Sequence, residues 1–448
     1  MKTKKVDVLV CGAGTAGIIA GIAAARNGAE TIMVDKLRCL GGQFTAGMQG
    51  CWVGFSDKEK VIVKGISWEI RDRLIERGAY KENDVNTDVC YLYDTEVAKI
   101  VLDEMVDEEK NLSVFLDTLI TEVVTDGDKV KGIHALSEGE EMEILADVVI
   151  DCTGDAIIAA RSGAPFEIRD KKDIQPCTLM GKMAGVDMER VKKFYAENPP
   201  VIDTFLPPAW RQFKTLPGFM HYGLGDELSG DDVPDRLKYL RHWLAYFNET
   251  PNPGEVVINC SGAIYEHSIA GFGDRTSMET AAERCLYDVA EVYKRYVPGF
   301  EKAYLSGMAS LLGIRETRRI VGDYKVTIQD FLDARQFEDN IGLGAMPAGY
   351  HRSDGSEEMD VYNLTPGTSM GIPYRCLLPK GKDGLLVAGR CVSYEPDVAN
   401  CIRCMAQCMA MGEAVGTAAA MASKQGIEPR DVNIKELQAQ LKAQGALF

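Results

Sequence analysis

Apolar positions arrive along this chain in two rhythms. Residues 6–11, VDVLVC, form a short unbroken apolar run that predicts a buried strand, and TAGIIAGIAAARNG then predicts an Ala-rich helix stopped by Gly28. TIMVD (31–35) is a second strand, so the chain opens with a βαβ unit. Helical spacing reappears at 64–78 and at 94–110, the latter with Asp94 and Thr95 ahead of EVAKIVLDEM. From 113 to 151 apolar runs are interrupted by TDGDK and SEGEE, the pattern of strands joined by turns. They end in ADVVIDCTGD, a buried strand running into a glycine turn. Between residues 165 and 365 the periodicity weakens, prolines and aromatics become frequent, and helices are predicted near 233–249 and 276–296. From 371 the first style returns: DGLLVAGR is a strand into a glycine turn, and 401–424 is one long helix of Ala, Met and Cys.

Similar units at both ends around a different middle predict an α/β protein in which a Rossmann-like nucleotide-binding domain is discontinuous in sequence. Its expected pieces are 1–164 and 366–448, with an α+β substrate or cap domain, 165–365, inserted between them. The 448 residues are enough for two domains.

Composition narrows the partners. With 46% hydrophobic and 26% charged residues the chain is ordinary for a globular protein, but its formal charge of -17 argues against nucleic acid and against an anionic membrane surface. Thirteen cysteines, an odd number spread from Cys11 to Cys408, fit reduced thiols in a cytoplasmic protein better than a disulfide framework. The basic, then apolar, then Ala-rich N-terminus imitates a signal peptide, but glycines and Asp7 interrupt the apolar run. The expected partners are a small-molecule substrate, a redox partner protein and further copies of the chain.

Gly12-Ala-Gly14-Thr-Ala-Gly17 places GxGxxG between the first strand and helix. The first glycine makes the tight turn, the second lets backbone approach a pyrophosphate, and the third lets helix and strand pack closely. Asp35 ends the second strand, where a ribose-binding carboxylate belongs. Strand, helix and acid in this register predict a dinucleotide site.

Beyond Asp35 comes LGGQFTAG (40–47), followed later by VIDCTGDA (149–156), GIRETRRIVGDY (313–324), IPYRCLLP (372–379) and GLLVAGR (384–390). In these pieces the sequence resembles the two-dinucleotide-fold flavoproteins, specifically the FAD-dependent oxidoreductase family distantly related to fumarate reductase flavoprotein subunits. The resemblance implies that Gly12, Gly14, Ala16, Gly17, Asp35 and Lys36 surround FAD, with Gly41, Gly42 and Thr45 on the flavin side. It also implies cofactor contacts from Thr153, Gly154, Asp155, Gly389 and Arg390. It names no single substrate. Relatives carry histidines after the last glycine turn, in a run resembling ATHEAHGSIR; this chain has YEPDVANCIR, with none. No second GxGxxG follows a strand in the middle region, so a separate nicotinamide domain is not expected.

Flavin stores a hydride equivalent itself, so the protein's share is to orient the substrate and handle a proton. Arg315 and Arg319, with Glu316 and Arg318 between them, would share a face on a helix or turn and could fork onto a substrate carboxylate. Internal salt bridges between the two domains are the competing reading. Arg375 and Arg403 are further candidates, as are His351 beside Tyr350 in a glycine-flanked loop and Tyr394 with Glu395 after the last glycine turn.

Cys401, Cys404 and Cys408 invite a metal reading. On a continuous helix seven residues rise about 10.5 Å, whereas two thiolates on one zinc lie only about 4 Å apart. No metal is therefore assigned, and the thiols are expected to pack within a helix; Cys401 would become reactive if it opened that helix. The leading expectation is a cytoplasmic FAD-dependent oxidoreductase that transfers a hydride between flavin and a small, carboxylate-bearing organic substrate. The alternatives are a flavin/iron–sulfur electron-transfer subunit and an FAD-scaffolded RNA-modifying protein.

Overall fold

Strand β1 (Lys2–Cys11) is exposed over its first residues and buried over its last four, so it carries the chain from solvent into the core just before the glycine turn. Helix α1 (Thr15–Arg26) follows, and β2 (Thr31–Val34) pairs parallel to β1 with Cys11 opposite Val34. These elements come from a computed structural model of the chain, which describes residues 2–81, 90–170, 173–197, 220–222, 228, 231–242, 245–264, 274–349 and 362–448.

The parallel core of the main sheet runs Leu112–Phe115, β2, β1 and then Glu140–Asp151. The last of these is long enough to serve two neighbours on its outer side. Its first half pairs antiparallel with Lys129–Ser137, which pairs in turn with Leu119–Asp126; its last residues pair parallel with Leu385–Val387. The returning chain thus adds its strand beside Val149–Asp151.

Helix α1 is buried from Ala16 to Ala25 because the sheet covers one side and the helix Met405–Gln425 the other. A helix apolar all round is stable only in such a setting. The two helices approach through glycine: a Cβ on Gly412 or Gly416 would lie 2.2 Å from the carbonyl oxygen of Ala16 or Ala20.

A second, five-stranded antiparallel sheet runs Met220–Tyr222, Ala245–Glu249, Glu255–Ile264, Cys177–Ala184 and Tyr304–Met308. Side chains alternate across it. Leu179, Met183, Phe247, Val256 and Ile258 share a core with Leu286, Val289 and Tyr293 of the helix Asp274–Tyr296. The opposite face carries Thr178, Lys182, Tyr246, Asn248 and Asn259 and turns toward the first sheet's domain; there the Lys182 ammonium lies 3.9 Å from Asp94.

Helices predicted at 64–78, 94–110 and 276–296 are present as Ile66–Glu76, Thr95–Asp107 and Asp274–Tyr296. Asp94 caps the second, accepting from Glu96 N at 2.8 Å and Val97 N at 3.3 Å. Three expectations are corrected. Residues 233–249 are not one helix: Asp235–His242 is a 3-10 turn and Ala245–Glu249 a strand, because pairing with Glu255–Ile264 on one side and Met220–Tyr222 on the other overrides helical spacing. Residues 401–424 are not continuous either, since the short helix Ala399–Ile402 ends and Cys404 turns extended (φ -57, ψ 148) before Met405–Gln425 begins. The insert's core also ends earlier than 365: it closes at Ile314, while Ile320, Val326, Phe331, Ile341 and Leu364 join the first core. The cause is local, since Asn340–Gly344 pairs with Met370–Pro373 and packs on the Met405–Gln425 helix.

Glu413 of that helix is 2% exposed and accepts Ile66 N at 3.1 Å, capping the helix Ile66–Glu76, which has no side-chain cap of its own. Its second oxygen has no partner among the described residues. Burial pushes this carboxyl up to about 7, against the pull of Ile66 N–H and Arg26. The folded chain therefore holds a proton that the unfolded chain releases, so stability is full at low pH and falls as pH rises from the ordinary carboxyl range through about 7. Glu413→Gln should flatten the melting temperature between pH 5 and pH 8; a profile identical to that of the unaltered chain would count against this assignment.

Candidate active site

Three glycine turns meet at the carboxyl ends of the parallel strands. Gly12 has φ +100, and a Cβ there would lie 2.5 Å from the carbonyl oxygen of Cys152, so both backbone and space require glycine. At Gly17 a Cβ would meet the Gly12 carbonyl oxygen at 1.7 Å. Gly14 differs: nothing stands within 4 Å of its Cβ position. It also opens α1 without any side-chain cap, so the first N–H groups of the helix meet no capping side chain. This is the geometry of an anion site at a helix N-terminus.

The second turn locks onto the first. Gly41 N donates to the carbonyl of Ala13 at 2.8 Å, and a Cβ on Gly42 would lie 2.9 Å from Gly14 Cα. Asp35 takes Ala13 N at 2.6 Å and Leu37 N at 2.8 Å, holding the first turn at the end of β2. Burial raises the Asp35 pKa, while these two N–H groups and Lys36 pull it back. Lys36 itself is exposed. Thr45 is buried and donates to Leu40 O, so its hydroxyl closes the second turn. Ala16 is buried beneath Gly412, and Gly389 faces it.

The third turn rests on Asp151, which sequence reading overlooked. Fully buried, it accepts from Thr153 Oγ1 at 2.7 Å, Ile158 N at 2.9 Å and Ala159 N at 3.0 Å. Gly154 turns with φ +72. Asp155 then pairs with Arg390 and Arg275 and accepts Thr317 Oγ1 at 2.9 Å. Burial works to raise its pKa, but the two guanidinium groups and the hydroxyl outweigh it and hold the carboxyl well below the usual range. Arg390 also donates to Gly154 O and Ile314 O, each at 2.6 Å. Its donors go to protein acceptors on two separate segments, at Gly154 with Asp155 and at Ile314.

The arginines of 315–319 are placed differently from the expected fork. Gly313 exchanges backbone hydrogen bonds with Thr178, which draws this segment out along the sheet edge instead of into a helix. Arg315 donates to Pro176 O, and Arg318 to Asp155 O at 3.2 Å. Arg319, 3% exposed, lies 3.3 Å from Glu316 and 3.9 Å from Glu167, over the ring of Tyr394. Arg375 forks onto Asp339 away from the glycine turns. Tyr394 donates to Arg390 O and Glu395 accepts Ile328 N. His351 and Tyr350 lie outside the described residues.

Arg403 stands at the break before the helix Met405–Gln425. One of its terminal nitrogens bonds Asn400, while its Nε is buried with no hydrogen-bond partner among the described residues. Sequence reading also missed a set of linked polar residues. Gln43 reaches from the second glycine turn to Leu312 O at 3.1 Å. Asn259 Nδ2 donates to Tyr246 Oη at 2.6 Å, and Thr178 Oγ1 donates to the Asn259 carbonyl. Gln49 also bonds Tyr246, whose hydroxyl feels the charges of Arg315 and Arg403. The second glycine turn, the strap 312–315 and the polar sheet face are thus linked by hydrogen bonds. The alternation of AYFNE was the available signal for Tyr246, hidden by its assignment to a helix.

The cysteines pack. Cys404 donates to Asn400 O at 2.8 Å and Cys408 to Arg403 O at 3.4 Å. Burial pushes their thiols up to about 11 and about 12. Among the described residues no group of three His, Cys, Asp or Glu side chains is arranged to hold a metal, and no helix is long and apolar enough to cross a membrane. Cys51 is disulfide-bonded, a departure from the all-reduced expectation. A separate cleft of about 650 Å³ lies between the helices Ile66–Glu76 and Thr95–Asp107 and contains none of the glycine-turn residues.

The family described as FAD dependent oxidoreductase matches residues 7–441. Thiamine thiazole synthase of Pyrococcus furiosus is 27% identical over 158 residues, 34% of this chain and 58% of its own length. The chain thus spans little more than half of that curated relative. A geranylgeranyl bacteriochlorophyll reductase-like protein from Thermoplasma acidophilum has a similar fold, with TM-score 0.50, 16% identity and coverage of 99% of this chain and 84% of the other. A looser likeness is p-nitrophenol 4-monooxygenase from Pseudomonas putida DLL-E4, with TM-score 0.46, 10% identity and coverage of 96% and 83%.

The glycine geometry separates two variants. Gly14→Ala should fold with an unchanged melting temperature but bind FAD at least tenfold more weakly, since its methyl occupies the side from which a pyrophosphate approaches. Gly12→Ala should fail to fold stably even without cofactor. Calorimetric titration of the purified apoproteins with FAD checks both. Asp155→Ala should cost about 3–5 kcal/mol by leaving buried guanidinium groups unpaired. The Asp155 contribution is full above the ordinary carboxylate range, about 4, and is lost as pH falls below it, so denaturant midpoints should depend less on acid in the variant.

Proposed function

Because the chain belongs to the FAD dependent oxidoreductase family, we propose that it passes a hydride between FAD and a small organic substrate bearing a carboxylate. FAD supplies the two-electron chemistry when bound, and the protein binds, orients and handles protons. The open side of Gly14 and the uncapped N-terminus of α1 suit the pyrophosphate, and Asp35 stands where a ribose hydroxyl is expected. Gly41 and Gly42, pressed against the first turn, lead the chain from there toward the second sheet.

The observation that carries the substrate class is Arg403. A cationic side chain whose Nε is buried without a hydrogen-bond partner among the described residues is costly to keep, and a carboxylate is the natural group to complete it.

FAD-loaded protein titrated with malonate, followed by the change in flavin absorbance, tests this reading. Arg403→Ala should retain FAD and weaken malonate about 10- to 100-fold, the worth of a charge-assisted hydrogen bond. Equal affinity in both proteins would overturn the assignment.

A further inference from the structure

Cys401-Ile402-Arg403-Cys404 is a CxxC segment, and the helical ladder breaks inside it. Cys401 belongs to the short helix Ala399–Ile402, and Arg403 N still donates to Ala399 O at 3.0 Å. Cys404, not Cys401, opens the helix Met405–Gln425. Its thiol donates to Asn400 O at 2.8 Å, taking the acceptor that a continuing helix would give to Cys404 N–H. The two cysteines thus stand one turn apart, a spacing at which Cβ atoms lie about 5–6 Å from each other. A disulfide brings them to about 4 Å, a short movement for a residue that stands at the break. Cys401 is fully buried, and a Cβ on Gly344 would lie 2.6 Å from its Sγ. Cys404 is half-buried, and a Cβ on Gly54 would lie 3.2 Å from its Cβ. Gln407 runs between the same two glycines: its Cγ is 3.8 Å from the Gly344 position, and its amide donates to Gly54 O at 2.7 Å. Both cysteine side chains therefore pack beside Gln407.

We propose that Cys401 and Cys404 are a redox pair that closes to a disulfide across Arg403, and that closure weakens anion binding at that arginine. The second half rests on the carboxylate reading above. The oxidant is a low-molecular-weight disulfide such as glutathione disulfide. The Cys404 thiolate, on the more accessible side, attacks one of its sulfurs, forming a mixed disulfide and releasing one glutathione. The Cys401 thiolate then attacks the Cys404 sulfur, the bond to glutathione breaks, and the second glutathione leaves. Each cysteine sulfur gives up one electron, each glutathione sulfur gains one, and the two thiol protons end on the two glutathiones. Closure draws the Cys404 sulfur off Asn400 O, and Asn400 is also the residue that holds Arg403 through its side chain. The guanidinium thereby loses its present support. Burial pushes the Cys404 thiol up to about 11, although Arg403 pulls it back, and raises Cys401 well above its ordinary value. The thiolates that would stabilise the open pair are scarce, which favours the disulfide at equilibrium and makes its formation slow.

The test equilibrates full-length protein, with and without FAD, with glutathione disulfide, then blocks the remaining thiols and locates the oxidised ones by peptide mass mapping. A disulfide joining Cys401 to Cys404, reversed by dithiothreitol, is expected in both samples. Malonate affinity of the FAD-loaded protein, read from flavin absorbance, should be about tenfold weaker in the oxidised form and recover on reduction. Cys404→Ser, whose hydroxyl can still donate to Asn400 O, should bind malonate as the reduced protein does and lose the response to glutathione disulfide. Cys401→Ala, which serves if Cys404→Ser does not fold, should stop at the mixed disulfide of Cys404 with glutathione. Absence of the Cys401–Cys404 disulfide, or a disulfide from Cys404 to Cys408 in its place, overturns the inference whatever malonate does. A Cys401–Cys404 disulfide that leaves malonate affinity unchanged, while Arg403→Ala still weakens it, overturns the inference and leaves the carboxylate reading intact. Malonate that fails to bind the reduced protein overturns the carboxylate reading and the control of anion binding with it.

Discussion

The carboxylate of Asp155 is the point on which the two halves of the molecule depend. It lies just past the glycine turn that ends the strand Glu140–Asp151, and its partners come from three other parts of the chain. Arg390 follows the strand Leu385–Val387, Thr317 belongs to the strap, and Arg275 opens the helix that backs the second sheet. Arg390 binds Gly154 and Ile314 as well, so one guanidinium fixes the distance between the returning strand, the third turn and the strap. A buried pair of this kind adds little net stability over an apolar contact of the same shape. What it contributes is register: an ionic contact tolerates little displacement, and the second sheet is thereby held at one distance from the glycine turns.

That fixed distance gives the alternation of the second sheet its chemical meaning. One face is hydrophobic and buried against its helix; the other would be a liability in isolation, with Lys182, Asn248, Asn259 and Tyr246 needing partners. Turned toward the first sheet, the same face finds Asp94 beside Lys182 and, at Thr178, the backbone of Gly313. Polar side chains hydrogen-bonded in rows hold their orientation better than residues on a loop, which suits a site that must present donors at set angles.

The cofactor end of the molecule was legible because its signals are local. A strand, three glycines, an Ala-rich helix and Asp35 lie within thirty-five residues, and two of the three glycines, Gly12 and Gly17, answer to close backbone approaches. Long-range contacts were harder to read. Arg319 looks like a substrate arginine in sequence because nothing nearby reveals Glu316 and Glu167 folding around it. Tyr246 was lost when residues 233–249 were read as a helix, since the strand Ala245–Glu249 is specified by neighbours on both sides and not by its own short pattern. The break at Cys404 was likewise hidden, because small apolar residues continue a helical pattern across it. No local rule marks a turn made by side chains returning to Asn400.

The close seating of Gly412 and Gly416 on α1 bears on how the protein is made. A ribosome that has released the first βαβ unit has produced every residue of the opening glycine turn but not the helix that covers α1, nor the strand that completes the sheet beside Val149–Asp151. Until the last part of the chain emerges, an all-apolar helix has one bare side, and contacts this distant in sequence form slowly. The nascent chain therefore passes most of its synthesis with its earliest segment unfinished, a period in which early cofactor capture or a chaperone would decide its yield.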